Sequence, residues 1–389
     1  MKDSLNKILP HSQAKLDLYQ KYLEKYFSIL GLAKGISKIN IYDLFSGTGI
    51  YEDGKVGSPI LAFQTIKDNR FFFTKKNWPL KPISLFINDK DSEKVENVRF
   101  IIEEKGLPEK FQLECKSSDV IELFSEITER IEVQDSRERN LLFIDPYGYK
   151  TINPHVMRKL LQNGRTEIIL FLPISFMHRF KNISLKEDRA CYNALNEFVT
   201  SLFPHEHPMR EPEHLSIHDF IGYITKGFTF KGNNYCVSHS IERSKNNFFA
   251  VFFMTKHILG LERMLTVKWG EDNDFGKAYL IKKESNQLGL FTQLDKETNQ
   301  KSNYQKLSEI LLHKISNKHE FNNLDLYEST LKNEFLPKHS NQVMRDLKKA
   351  KRIKVLDAVT RNEIEKPRTY FNKWDDFRTK QPKIIIQKA

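Results

Sequence analysis

Ile39-Asn40-Ile41-Tyr42-Asp43-Leu44-Phe45-Ser46-Gly47-Thr48-Gly49 is the stretch that decides the reading of this chain. Its first half is a short apolar run, the pattern of a buried parallel strand. Its second half is an acid, Asp43, and a turn carrying two glycines. Gly47 and Gly49 have no side chains, so the backbone can bend sharply and let a ligand sit against it. In open α/β sheets, ligands bind beyond the carboxyl ends of the strands, where the strand order reverses. A dinucleotide fingerprint needs a third glycine at position 52, and Glu52 stands there. An ordinary strand and turn is the competing reading of this motif alone.

Working outward, residues 12–30 repeat Leu16, Tyr19, Leu23, Tyr26, Phe27 and Leu30 at helical spacing, with Gly31 as a stop. Lys15, Lys21 and Lys25 read as solvated, although one of them is long enough to reach the glycine turn. Downstream, Gly57-Ser58-Pro59 opens a helix, with Ser58 as its cap. A second buried strand, 83–88, ends at Asp89, where an acid can accept hydrogen bonds from ribose hydroxyls. A third strand, 111–115, leads to Asp119, placed either beside an adenine or as a helix cap. An acid at the first strand end with a short Gly-x-Gly turn is how methyltransferases hold S-adenosylmethionine. Asp43, Phe45, Gly47 and Gly49 would then hold the methionine end, Asp89 the ribose, and Asp119 the adenine.

The fourth strand, 141–144, runs into Asp145-Pro146-Tyr147-Gly148. This pattern suits chemistry on an exocyclic amine. The Asp145 carboxylate and the Pro146 carbonyl can accept hydrogen bonds from the amino group, and the Tyr147 ring can stack on a flipped base. A simple strand-end turn competes here too. A fifth strand covers 166–171, and then the pattern breaks into a polar, helical insert of about 174–232. Two further strands, 234–242 and 247–254, pair as an antiparallel hairpin and complete a seven-stranded Rossmann-like methyltransferase sheet. The α/β domain thus spans 1–282. His214 and His218 are four apart, but no acid accompanies them, and no metal site is expected.

Residues 283–302 read as a polar linker, and 303–389 as a winged helix with a frayed tail from Lys380. Helices are expected near 303–315, 323–333 and 340–351, with a wing pairing Ile353–Leu356 with Thr369–Phe371. The third helix and its exit carry Asn341, Gln342, Arg345, Lys348, Lys349, Lys351 and Arg352, residue types that contact phosphates and base edges. A solvated face or a protein-binding winged helix competes with that reading.

Composition agrees with an anionic partner. The 389 residues carry a formal net charge of +12, which favours nucleic acid, RNA or DNA. No apolar run approaches the roughly 18 residues of a membrane span. No signal-peptide core follows Met1, so a cytoplasmic protein is expected. Cys115, Cys191 and Cys236 are too scattered for a zinc ribbon or a disulfide framework.

Four stretches in this order resemble the bacterial three-Cys-motif partner proteins. They are Lys15-Leu16 to Tyr22-Leu23, Tyr42 to Gly49, Gly57-Ser58-Pro59, and Phe143 to Gly148. The family's glycine turn often reads Phe-Ala-Gly-Pro-Gly; Ser46 and Thr48 replace its Ala and Pro here. The resemblance implies a methyltransferase-like fold and a possible partner, a three-cysteine protein similar to radical S-adenosylmethionine enzymes. Asp145 to Gly148 also resembles the Asp-Pro-Phe-Gly of tRNA guanine N2-dimethyltransferases. It is similar to the Asp-Pro-Pro-Tyr of adenine N6-methyltransferases, but lacks the second proline. Three functions stay open: a methyltransferase acting on a nucleobase amine, a non-catalytic nucleic-acid module, and a methyltransferase with a protein or small-molecule substrate.

Overall fold

The structure is a computed structural model that describes residues 7–146, 148–149, 151–186, 190–207, 209, 215–244, 247–271, 279–280, 291–365 and 370–389. The chain divides into two compact units. One comprises Met1–Arg263 and Ala278–Lys282, the other Met264–Lys277 and Lys283–Ala389.

The first unit begins with α1 (Pro10–Leu32). Strands and helices then alternate: β1 (Lys38–Asp43), α2 (Ser58–Lys75), β2 (Ile83–Asn88), α3 (Ser92–Glu104), β3 (Phe111–Lys116), α4 (Val120–Val133), β4 (Glu138–Ile144), α5 (Pro154–Gln162) and β5 (Thr166–Leu172). The insert supplies α6 (Ile174–Lys186), α7 (Ala190–Leu202) and α8 (Ile217–Gly227). The hairpin β6 (Tyr235–Ser244) and β7 (Asn247–Thr255) follows, then the start of α9 (Ile258–Glu271), whose residues from Met264 on belong to the second unit, and β8 (Tyr279–Leu280).

The sheet order is β3-β2-β1-β4-β5-β7-β6-β8. Strands β1 to β5 are parallel, and β7 runs antiparallel to both its neighbours. This is the seven-stranded, mostly parallel sheet expected from the sequence. The two-residue β8, parallel to β6, is an addition that lies inside a stretch with no strand signal. The order reverses between β1 and β4, so a crevice opens beyond their carboxyl ends.

Burial on both faces explains why these strands read as continuous apolar runs: every residue of β2 and β5 is buried. Tyr42, Leu44, Phe86, Leu142 and Ile144 form one core with α4, α5 and the insert. On the other face, Phe143 stacks on Tyr19 of α1, with ring centroids 4.2 Å apart. Gly31 does not stop α1. It lies inside the helix because a Cβ there would come 2.6 Å from the Phe73 ring of α2.

The second unit contains α10 (Phe291–Asn317), β9 (Phe321–Asn322), α11 (Asn323–Lys332), α12 (Pro337–Lys349), β10 (Ile353–Asp357), α13 (Trp374–Thr379) and β11 (Ile384–Lys388). It is a winged helix, with three corrections to the sequence reading. First, α10 starts at Phe291, so the part of the supposed linker from 291 to 302 is helical; 283–290 lie outside the described residues. Its Glu, Lys and Gln residues are good helix formers, and the buried Leu307, Leu311 and Ile315 anchor the same helix further on. Second, the tail is not frayed: β11 is the central strand of a three-stranded sheet ordered β10-β11-β9. Ile384, Ile385 and Ile386 are buried there. Third, β10 does not pair with Tyr370 or Phe371. It folds back through a bridge between Leu356 and Glu363, while Phe371 joins the core without being in a strand. Thr369 lies outside the described residues.

Candidate functional site

The carboxyl ends of β1, β2 and β3 are tied together by the buried Asn88 side chain. The Asn88 amide donates to the Leu44 carbonyl (3.3 Å) and the Ser118 carbonyl (3.2 Å), and its oxygen accepts from the Ser118 amide (3.1 Å). The turn after β1 is therefore held firmly. Gly47 and Gly49 both have left-handed backbones, at φ 59° and 77°, the conformation for which glycine has no steric cost. The Gly57 amide reaches back to the Gly49 carbonyl at 2.6 Å, which brings the start of α2 against the turn.

Asp43 is fully buried at the end of β1. Its Oδ1 accepts a long hydrogen bond from the Phe45 amide at 3.4 Å. Its Oδ2 has no hydrogen-bond partner among the described residues, and neither does the buried Ser46 hydroxyl. Burial pushes the Asp43 carboxyl up to about 7; the Ser58 hydroxyl and the Phe45 amide offset this only in part, and nearby Asp145 adds to it. With only the long Phe45 bond and the nearby Ser58 hydroxyl to hold it, this buried carboxyl would be stabilised in its ionised form by a further donor or cation.

Across the crevice, Asp145 follows β4 and is half-buried. Lys15 of α1 is 5% exposed. Its ammonium pairs with Asp145 and lies 4.6 Å from the centre of the Phe171 ring at the end of β5, a favourable cation–π geometry. Phe171 in turn stacks on Phe249 (5.3 Å), which stacks on His11 (4.2 Å). Burial, with Arg243 and Lys15 nearby, lowers His11 to about 4, so its imidazole is neutral at pH 7.

Ser46, Gly47, Thr48, Lys15, Asp145, Pro146 and Phe171 line one cavity of about 220 Å³, with Lys94 of α3 as a second cation. A Cβ on Gly47 would meet open space, so this glycine leaves room on the cavity side. The donor set suits a ligand with both a cationic amine and an anionic group, as the methionine end of S-adenosylmethionine has.

The cavity thus brings together Phe45, Gly47, Gly49, Asp145 and Pro146, while Asp43 is buried at the end of β1 and is not part of its wall. Tyr147 lies outside the described residues. Three of the expected cofactor residues also have roles within the protein. Gly49 lines the cavity, and it spares room for the protein as well: a Cβ there would lie 2.7 Å from Val98 and 3.3 Å from Ile60. Asp89 braces the turn, accepting from the Gly47 amide (3.0 Å) and the Asp91 amide (3.1 Å), and is not part of the cavity wall. Asp119 caps α4 through the Ile121 amide (2.9 Å) and pairs with Lys90 (3.4 Å) at the surface. Its carboxyl is held low by that amide and then by Lys90.

Comparison with known proteins bears on both units. Residues 281–359 match the family described as GMT-like wHTH domain. No curated protein matches the chain. Among solved structures, an O-methyltransferase from Bacillus cereus in complex with S-adenosylhomocysteine is 13% identical; the match covers 61% of this chain and 80% of that one, with a TM-score of 0.33. The O-methyltransferase TomG from Streptomyces achromogenes, in complex with S-adenosylmethionine, is 9% identical over 65% and 92% of the two chains, with a TM-score of 0.33. TrmK of M. capricolum, in complex with S-adenosylhomocysteine, is 10% identical over 83% and 96%, with a TM-score of 0.26.

In the winged helix, two of the seven expected contact residues are committed to the fold. Asn341 is buried; its oxygen accepts from the Phe371 amide (2.7 Å) and the Asn372 amide (3.1 Å), and its amide donates to the Asn372 carbonyl (3.2 Å). Lys348 donates to the carbonyls of Ile364 and Glu365 beyond β10. Gln342 links Asp346 (3.0 Å) to Arg345 (2.6 Å) on the outer face of α12. Arg345, Lys349, Lys351 and Arg352 are exposed. Asn341→Ala leaves two buried amides unpaired and is expected to cost about 2–4 kcal/mol in a denaturant melt. It should leave the salt dependence of any nucleic-acid binding unchanged.

Lys15 is the cavity residue the sequence came nearest to missing. Its helical position reads as solvated; its signals are a side chain long enough to reach the turn and its place at the start of the first stretch of the family resemblance. Ser46 and Phe171 carried no signal beyond their places in a turn and a strand. His214 lies outside the described residues. Among the described residues, no group of three or more His, Cys, Asp or Glu is placed to hold a metal ion. No helix among them is long and apolar enough to cross a membrane.

Proposed function

We propose that this chain is an S-adenosylmethionine-dependent methyltransferase that acts on an exocyclic amine of a nucleobase in RNA or DNA. The observation that carries the reading is one cavity lined by both the glycine turn, Phe45 to Gly49, and the Asp145-Pro146 strand end, with Asp43 buried at the end of β1 outside its wall. When bound, the cofactor supplies an activated methyl group. The Asp43 carboxylate and the Ser46 and Gly47 turn hold the cofactor's amino-acid end, and Asp89 keeps that turn in shape. Asp145 and the Pro146 carbonyl orient the acceptor amine, and Asp145 takes up its proton. The Tyr147 ring is the stacking face for the flipped base. Catalysis of this kind is mainly positioning.

Nucleic acid is held by the exposed cations of the winged helix: Arg345, Lys349, Lys351 and Arg352, with Gln342 beside them. Lys349→Ala and Arg352→Ala in the full-length protein should each reduce the slope of log affinity against log salt by about 0.7–0.9. An unchanged slope in both variants would remove this face as the binding surface.

The deciding assay is transfer of tritium from labelled S-adenosylmethionine to total RNA and to genomic DNA, with and without a three-cysteine partner protein. Label in either pool supports the reading. The Lys15–Asp145 pair favours one second reading, because it occupies the carboxylate the acceptor needs. On that reading the chain is a non-catalytic nucleic-acid module that works with the three-cysteine partner. Cofactor and nucleic-acid binding with no label in either pool would select it.

Cofactor binding should depend on pH through Asp43. Its carboxyl is raised to about 7 from an ordinary 3.8. Native Asp43 therefore keeps its proton where the unfolded chain has lost it. Its contribution to stability is fully present below about pH 4 and is lost as pH rises through about 7. The ammonium of S-adenosylhomocysteine prefers the ionised carboxylate, so affinity should rise about tenfold from pH 6 to pH 8. Calorimetry on Asp43→Asn should show weaker binding with that rise abolished. A rise that persists in the variant would assign it to another group.

A further inference from the structure

Lys15 is a buried ammonium held by a half-buried carboxylate and an aromatic ring, all on the wall of the cavity. This pair joins the two halves of the proposed site. Lys15 lines the same space as Ser46 and Gly47, where the cofactor's amino-acid end belongs. Asp145 lines the side where the acceptor amine belongs. A buried ammonium leaves one anion only if another replaces it. The cofactor brings such an anion in its α-carboxylate, and the flexible lysine stem can turn between the two.

We propose that Lys15 is a positioning residue with two alternative partners: it pairs with Asp145 before the cofactor binds, and with the cofactor's α-carboxylate afterwards, which frees Asp145 for the acceptor amine. This rests on the cofactor assignment above. It makes binding ordered. Until the cofactor arrives, the carboxylate that holds the acceptor is masked by the protein's own ammonium. The pair then explains how Asp145 can be both occupied in this structure and the group that orients the substrate.

Calorimetry on the full-length protein tests the exchange with two probes. S-adenosylhomocysteine has the α-carboxylate; 5′-methylthioadenosine lacks the amino-acid end. Asp145→Asn removes the competing anion at almost no change of shape. It should tighten S-adenosylhomocysteine by about tenfold, because Lys15 no longer has to be released. Lys15→Met should weaken it by about tenfold or more, and adding Asp145→Asn to that background should then change nothing. In a Lys94→Met background, which removes the other cation of the cavity wall, the gain from Asp145→Asn should persist. Affinity for 5′-methylthioadenosine should be the same in all these proteins, which also reports that the site has folded. Unchanged or weaker S-adenosylhomocysteine binding in Asp145→Asn would overturn the proposal. So would a gain that survives Lys15→Met or disappears with Lys94→Met. If the wild-type protein binds neither probe, it is the cofactor assignment that fails, and the exchange with it.

Discussion

Asp145→Ala should cut methyl transfer by about 10²–10⁴-fold without weakening the cofactor, since a positioned proton acceptor contributes on that scale. The side chain stands at the carboxyl end of β4, where it pairs with Lys15. Its loss leaves the buried Lys15 ammonium without that partner, so a denaturant melt on the same preparation checks that the sheet is intact. The measurement is tritium transfer to the responsive nucleic-acid pool, alongside calorimetry with S-adenosylhomocysteine. Tyr147→Ala should weaken the nucleic-acid substrate by about 1–3 kcal/mol, and Tyr147→Phe should be mild, because stacking uses the ring. A variant at Asp145 that transfers label at the wild-type rate would take the residue out of the chemistry.

Gly49→Val and Gly47→Ala should separate two roles that the sequence motif merges. At Gly49 the new side chain meets Val98 and Ile60, with a first contact at 2.7 Å, and the backbone is left-handed at φ 77°. Strain and overpacking together should cost about 2–5 kcal/mol of stability. At Gly47 the backbone is also left-handed, but a Cβ meets open space. Gly47→Ala should lose only about 1–2 kcal/mol. Because Gly47 lines the cavity, its affinity for S-adenosylhomocysteine should nevertheless fall sharply. Denaturant melts and calorimetry on the same preparations distinguish the two. A Gly49→Val protein as stable as the wild type would contradict the packing of α2 and α3 against the turn.

The alternation of buried apolar runs with helical periods was enough to read the parallel sheet, the insert and the hairpin. Apolar runs such as Ile83–Asn88 and Thr166–Leu172 are buried on both faces, and only a covered parallel sheet buries strands in that way. The acid and glycine turn after β1 and the Asp145-Pro146 strand end were legible for the same reason: each is chemistry placed at the end of an apolar run. In the second unit, Asn322 and Asp325 cap α11 reciprocally, a local signal that fits the helix read from 323.

Other features depend on neighbours distant in the chain. Ile384–Lys388 looks like a tail in the sequence and is the central strand of its sheet, because β9 and β10 close around it. Asn341 looks like a base-reading residue on a recognition helix and is instead a bracket for the backbone at 371–372. Asp89 and Asp119 have the strand-end positions of ligand groups, yet nearby amides claim them. Local pattern determines which residues are buried and which type of element they form. It does not determine which buried polar group finds a protein partner and which is left for a ligand. That depends on atoms brought together across about 130 residues, as with Lys15 and Asp145. By itself the sequence determined a seven-stranded, mostly parallel sheet with a winged helix and an acid at each of two strand ends. Only the tertiary structure decided that the Asp43 carboxylate keeps an open oxygen, while Asp145 already holds a lysine, because pairing is settled by three-dimensional neighbours and desolvation, not by spacing along the chain.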